Sequence, residues 1–320
     1  MILGPDQFTE VFEIAEPGKN LRFTVKAISK AKSDSDVGLN DSQSAEVLRG
    51  WRESAFYWQK HADTIRTMFD PITQALIEDA KIIEGDAVLD VAGGAGEPSI
   101  TIAKMVGPTG SVICTDVTVE MVAAAQSEAH RHGVNNITFR QCAADSLPFE
   151  SNSFDAVVCR LGVMFFPDPL AGLSEMLRVA KPEAWLSLAV WDKAELNPFS
   201  YLITNVLARH LGAATPADPN APDAFRFAEY GRLARILAKA GAVDVSERVL
   251  KFQIAAPISL KHFWKMRSET SGTLREKLAT LSPVLADVIA KEAQEAVRQY
   301  FSNNQMSIPA QVIIVTGRKP

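Results

Sequence analysis

The run VLDVAGGAGEPSI, Val88 to Ile100, carries Asp90 inside an apolar stretch and follows it with Gly93, Gly94 and Gly96, then Pro98. A second acid, Asp116, ends the next apolar stretch, SVICTD, twenty positions after Gly96. Glycines without a Cβ let a backbone approach a ligand closely and take positive φ. A carboxylate at the end of the neighbouring strand can accept both hydroxyls of a ribose. Residue types and spacing together point to a nucleoside-bearing cofactor.

Two cofactors compete for that loop. A dinucleotide asks for GxGxxG, and the best match is Gly94-Ala95-Gly96-Glu97-Pro98-Ser99, with serine in the last glycine place. Glu97 also puts negative charge where a helix N-terminus should greet a pyrophosphate. S-adenosylmethionine carries a sulfonium, an ammonium and a carboxylate but no phosphate, so the acids favour it. An NAD(P)-dependent oxidoreductase stays as the alternative.

The elements around these residues alternate. Strand-like runs AVLDVA, SVICTD, ITFRQC, FDAVVC and WLSLAVW are separated by helical stretches, which predicts a parallel α/β sheet of the Rossmann-like, doubly wound kind. Pro98 falls in the first turn of the helix after the glycine loop. Ser44 caps a helix through Phe69, and Pro71 opens a second. Beyond Trp191 the rhythm breaks into helices placed between late strands, a helical cap; one helical stretch is expected from Arg275 to Phe301. The division is an N-terminal extension over 1–43, to which no chemistry is assigned, and one domain over 44–320. Within that domain, 44–84 are N-terminal helices, 85–192 the cofactor-binding core, 193–308 the cap insertions and 309–320 the last strand.

Several motifs in order make the chain resemble the class I S-adenosylmethionine-dependent methyltransferases, in particular the small-molecule group related to ubiquinone/menaquinone C-methyltransferases. VLDVAGGAG resembles the first motif, VICTDVTVEMVAAA the second, and CAADSLPFESNSFDAVVCRLGVMFFPDP the third and fourth; LRVAKPEAWLSLAVW is similar to the segment entering strand five. The resemblance implies seven strands with the last antiparallel. It implies a cofactor site of Asp90, Ala92, Gly93, Gly94, Gly96, Asp116, Val117, Met121, Ala144, Asp145, Ser146 and Arg160. In it Asp116 holds the ribose, Met121 flanks the adenine and Asp145 meets the adenine amino group. Ala92 replaces the usual first glycine, which a small residue can do while φ stays negative. KPEAW replaces the usual Lys-Pro-Gly-Gly turn, and the strand-four end RLGVMFF lacks the Arg-Asn-Val type of segment, so the cofactor is carried over and the quinone is not.

Methyl transfer from a sulfonium is an in-line displacement that needs alignment, exclusion of water and sometimes a base. The segment LGVMFF after strand four supplies Met164 and Phe165 to a substrate pocket, with Trp58 from the N-terminal helix and Trp191 from the end of strand five. Tyr57 and His61 are the candidate catalytic groups. His130 and His132 are expected at the surface. No metal is expected, because strand four ends Cys159-Arg160 where the metal-dependent subclass needs an acid.

Composition agrees with these exclusions. The 320 residues are 47% apolar, with net charge −5 and no long basic run, which disfavours a nucleic-acid partner. Three scattered cysteines (Cys114, Cys142, Cys159) imply neither zinc nor a disulfide framework, and with no secretory leader or membrane span in evidence the expected location is cytoplasmic. The reading is an enzyme that methylates a small apolar or aromatic molecule; a protein that binds S-adenosylmethionine without turnover is the second alternative.

Overall fold

The computed structural model describes residues 21–22, 41–212 and 218–320. The expectations for residues 1–43 fall almost wholly outside them. The chain order is β1 (Leu21–Arg22), α1 (Asp41–Lys60), α2 (Ala62–Asp79), β2 (Ala87–Val91), α3 (Ser99–Val106), β3 (Ser111–Asp116), α4 (Val119–Arg131), β4 (Ile137–Gln141) and β5 (Phe154–Arg160). It continues with α5 (Pro169–Val179), β6 (Ala180–Trp191), α6 (Pro198–Leu211), α7 (Arg232–Lys239), β7 (Val243–Ala256), α8 (Leu260–Thr270), α9 (Gly272–Ala279), α10 (Pro283–Val297), β8 (Phe301–Ser302) and β9 (Gln305–Arg318).

The strands form one sheet in the order β1-β7-β9-β6-β5-β2-β3-β4, with β8 beside β9. β4, β3, β2, β5 and β6 are parallel, and β9 runs antiparallel to both β6 and β7. Seven principal strands with an antiparallel last strand therefore stand as expected, joined by two strands of two residues each. The winding reverses at β2, which has β3 on one side and β5 on the other, so the crevice for a ligand lies at the carboxyl ends of β2 and β5.

Both faces of the sheet are covered. Val88, Ala156, Val158, Ala189, Val312 and Ile314 pack into one core with α2, α3, α4 and the helices α6, α8, α9 and α10. Their alternate neighbours Leu89, Val157, Cys159, Leu188, Val190, Ile313 and Val315 pack into a second core with α5 and α7. That period-two division is what a sheet buried on both sides requires. Among the described residues, no helix is long and apolar enough to cross a membrane.

Three boundaries differ from the sequence reading. The first helical break falls at His61, and α2 runs through Pro71. The chain turns there because α1 packs on α4, α8 and α9 while α2 lies on the sheet; partners, not proline, place the break. The stretch from Arg275 to Phe301 is two helices and a short 3-10 turn. Pro283 occupies the first turn of α10, and the Ser282 hydroxyl caps it by accepting the Leu285 N–H at 3.3 Å. The last strand begins at Gln305, pairing with β7 from Met306↔Ala256 to Arg318↔Val243.

α2 is held on the sheet by its buried stripe, and Ile72 at its centre is fully excluded from water. Ile72→Ala is expected to lower unfolding free energy by about 2–5 kcal/mol, the cost of lost transfer plus a cavity. Denaturant unfolding checks this, and a change below about 1 kcal/mol would mean that the helix seats independently of that side chain.

Candidate functional site

At the centre of the sheet Asp90 pairs in register with Cys114 and Val158 and is wholly buried. Its Oδ2 accepts both the Ser99 N–H at 3.1 Å and the Ser99 hydroxyl at 2.5 Å. Oδ1 has no hydrogen-bond partner. Burial pushes the Asp90 carboxyl up to about 7, with the Ser99 hydroxyl and Arg160 acting the other way. The acid thus sits under the glycine loop and clasps the start of α3, and it does not line the cavity above.

Close packing shapes the loop. A Cβ on Gly93 would stand 2.6 Å from Cys114 Sγ and 2.7 Å from Asp90 Oδ2, so no other residue fits without displacing the acid. Ala92 has φ of +58°, contrary to the expected negative value. Such a conformation costs an alanine roughly 1–2 kcal/mol. It lets the Gly93 N–H reach the Thr115 carbonyl at 2.8 Å. The Ala92 methyl meets Gly162, where a Cβ would lie 2.6 Å from it. Glu183, in the KPEAW turn, likewise takes a positive φ (+67°).

These residues open onto a cavity of about 310 Å³ at the switch point, at the lower end of the range for small-molecule sites. One end is built by β3 and the chain after β4. Asp116 lines it, with Oδ1 accepting the Thr118 N–H (2.9 Å) and hydroxyl (3.0 Å) and Oδ2 accepting the Gly94 N–H (3.2 Å). Burial raises the Asp116 carboxyl above its ordinary value, partly offset by the Thr118 and Gly94 donors. Val117, Met121, Ala144 and Asp145 share this end. Gly96 and Ser146 do not reach the wall. Gly96 instead packs against Ile100 and Ala125, and the Ser146 N–H bonds the Ala143 carbonyl.

The middle carries paired charges. Arg160 donates to Thr73 Oγ1 at 2.8 Å and to the Glu97 carbonyl at 2.9 Å, and burial lowers its pKa. The Glu97 carboxylate takes the Arg66 Nε–H at 2.5 Å and the Thr101 hydroxyl at 2.8 Å. Glu97 is therefore not the bare negative charge that the sequence suggests.

The other end is aromatic. Trp51, Trp58, Ile65, Phe69, Leu161 and Phe165 line it. Trp51 sets its ring edgewise to Phe165 (5.2 Å between centroids) and Trp58 (5.9 Å), while the Trp58 indole N–H donates to the Thr270 carbonyl at 3.1 Å. Four expected residues lie elsewhere. Met164 is buried behind the wall, and Trp191 packs behind Phe69 at 5.9 Å. His61 is buried against Glu269, Nε2 to Oε2 at 2.7 Å, and Tyr57 lies beside Lys60 and Arg275. Neither candidate catalytic group faces the cavity. His132, expected at the surface, is half-buried 3.4 Å from Asp63, a carboxylate already bonded by Arg66 and Arg131.

Trp51 was missed by the sequence reading, although its signal was present. Leu48, Trp51, Ala55, Trp58, Ala62, Ile65 and Phe69 recur every three or four positions, one continuous stripe across α1 and α2, and all but Ala55 line the cavity.

Residues 70–206 match the ubiE/COQ5 methyltransferase family model. Over that segment the chain is similar to the ubiE/COQ5 methyltransferases. The ubiquinone/menaquinone biosynthesis C-methyltransferase UbiE of Pasteurella multocida is 34% identical over 125 residues, 39% of this chain and 47% of that protein. UbiE of a Marinomonas species is 30% identical over 152 residues, 47% and 61% of the two chains. An uncharacterised protein of Mycobacterium tuberculosis is 37% identical over 121 residues, 38% and 43%. The chain thus spans about half the length of the curated relatives it matches. Among solved structures, the YcgJ protein of Bacillus subtilis superposes with a TM-score of 0.49 at 23% identity, covering 77% of this chain and 97% of that one. The UbiE-type match includes the glycine loop, Asp116 and Arg160 but stops before α7, α8 and the loop leading to them.

Two expectations follow for the loop. Gly93→Ala must push aside Cys114 or Asp90 and should cost roughly 1–3 kcal/mol together with cofactor affinity, whereas a Cβ on Gly94 meets open space and should cost only its backbone strain. Thermal unfolding with and without S-adenosylhomocysteine separates the two, and equal losses would contradict the packing. For Asp90 the folded state holds a proton that the unfolded chain releases between about pH 4 and about 7. Stability measured against Asp90→Asn should therefore fall as pH rises through that window, by up to roughly 4 kcal/mol. A difference independent of pH would show that Asp90 is ionised throughout.

Proposed function

We propose that the chain transfers the methyl group of S-adenosylmethionine to a small apolar or aromatic acceptor by in-line displacement, without a metal. The observation that carries the reading is the N-terminus of α3. Ser99 spends its N–H and its hydroxyl on Asp90, so the helix end that would bind a pyrophosphate already faces a buried carboxylate. That disfavours a dinucleotide and leaves a nucleoside without phosphates as the ligand suited to Asp116.

The residues present fit that ligand. Asp116 accepts ribose hydroxyls with lone pairs left over from Thr118 and Gly94, Val117 and Met121 flank the adenine, and Asp145 takes its amino group. Arg160 and Glu97 give the middle of the cavity one group of each sign for the ammonium and carboxylate of the methionine part. S-adenosylmethionine supplies an activated methyl on a sulfonium, and the protein supplies alignment and dryness. A divalent cation is unsuited to this end of β5, where the Arg160 guanidinium occupies the cavity wall. Apolar and aromatic acceptors match the wall of Trp51, Trp58, Phe69 and Phe165, which offers mainly ring faces and edges; the Trp58 N–H is already bound to Thr270. The free thiols Cys114, Cys142 and Cys159 suit a reducing, cytoplasmic setting.

Thermal shift with S-adenosylmethionine, S-adenosylhomocysteine and NAD, on wild type and Asp116→Ala, tests the cofactor. Ligand at about 100 times its dissociation constant adds roughly 2.7 kcal/mol, a rise of a few degrees. The expected result is a rise with both adenosyl-sulfur ligands that Asp116→Ala abolishes. A rise with NAD alone would hand the site to an NAD(P)-dependent oxidoreductase. Binding without methyl transfer to any of a panel of phenols, quinones and amines would leave a non-catalytic S-adenosylmethionine-binding protein.

A further inference from the structure

Between α6 and α7, residues 218–231 bring Pro222 to the cavity wall. This loop lies beyond the UbiE-type match. It is braced from within. The Phe225 N–H donates to Asp223 Oδ1 at 2.8 Å, and the Arg226 N–H to the Asp223 carbonyl at 3.1 Å. Arg232 gathers the Arg226 carbonyl (2.7 Å), the Pro219 carbonyl (3.1 Å) and Asn220 Oδ1 (2.8 Å). Phe227 plugs into the core below, with 1% of its surface exposed and both guanidiniums near its ring.

Out of this frame one side chain reaches across. Arg226 is 9% exposed, and its Nη1–H donates to the Phe166 carbonyl at 2.6 Å, while its Nε has no hydrogen-bond partner. The carbonyl it grips belongs to Phe166, a wall residue next to Phe165. The Phe166 ring packs on Gly172, where a Cβ would come within 2.7 Å of it, and the Phe165 ring stands against Trp51. A guanidinium is costly to remove from water, and this one is bonded to a carbonyl rather than to a carboxylate.

We propose that Arg226 is a positioning residue for the acceptor: it locks the 218–231 loop to the Phe165–Phe166 wall and so fixes the width of the aromatic end. The proposal rests on the reading of that end as the acceptor chamber.

The test is binding of 2-naphthol, a bicyclic phenol, to the S-adenosylhomocysteine complex of wild type, Arg226→Met and Arg226→Lys. Calorimetry gives the affinity for S-adenosylhomocysteine itself. Methionine keeps an unbranched apolar side chain and removes the donors; lysine restores charge and one class of donor. The expected result is unchanged S-adenosylhomocysteine affinity in all three, naphthol affinity lower by about tenfold or more in Arg226→Met, and partial recovery in Arg226→Lys. Equal naphthol affinity in wild type and Arg226→Met overturns the proposal. So does a parallel loss of both ligands, which would mean general loosening. A wild type that binds S-adenosylhomocysteine but not naphthol overturns the acceptor chamber and the role of Arg226 with it. A wild type that binds neither rejects the cofactor reading beneath both.

Discussion

The Asp90 carboxylate lies in the middle of the sheet with no water on it, and the ligand end of the molecule is arranged around that fact. A buried acid must be protonated or given donors. The nearest supply is the first turn of α3, so Ser99 is drawn down onto Oδ2 and the helix is docked at a fixed height. The chain has only the seven residues between Val91 and Ser99 in which to leave the strand, pass over the acid and enter the helix. Gly93 is the residue pressed hardest in that passage, between Cys114 and the acid itself. The Ser99 donors are thereby spent below the loop, and the acid that meets the cavity is Asp116, at the end of the neighbouring strand.

The two ends of the cavity come from different parts of the chain. Strand ends of the parallel sheet build the end that holds Asp116, and their spacing is fixed by backbone ladders that tolerate little change. Helices and a loop build the aromatic end: the stripe on α1 and α2, the Thr270 carbonyl of α8 that holds Trp58, and Pro222 of the 218–231 loop. The family match covers the first set and only part of the second. Such a division allows one half to stay constant while the other is refitted to a new acceptor.

Strands and the acids at their ends were legible in the sequence because each is a local pattern. SVICTD is β3 residue for residue, and Asp116 at its end accepts the Gly94 N–H of the glycine loop. What was not legible depends on partners distant in sequence. Pro71 looked like a helix start, but the break is set at His61 by what α1 and α2 each pack against. His61 looked available for chemistry until Glu269, 208 residues away, claimed its ring nitrogen. Met164 and Phe165 are adjacent and both apolar, and only the 3-10 turn they share decides that one is buried and the other faces the cavity. Ala92 at positive φ is the reverse case, a local rule broken because the Gly93 bond and the contact with Gly162 outweigh its strain.

Charge in the middle of the cavity is paired within the protein, and this bears on selectivity. Glu97 is closed by Arg66 and Thr101, Arg160 is held by Thr73 and the Glu97 carbonyl, and the Trp58 N–H is taken by Thr270. An end walled mainly by rings and aliphatic carbon cannot strongly reject a molecule that merely adds a hydroxyl. It discriminates by shape and apolar area, which separates neighbours in size by roughly 10- to 200-fold per methylene and separates polar isosteres poorly. The positions of the rings then matter more than their chemistry. A chamber of this kind gains selectivity chiefly by holding its walls still, and its strongest polar contacts accordingly lie behind the rings, on backbone carbonyls, rather than on the surface that meets the ligand.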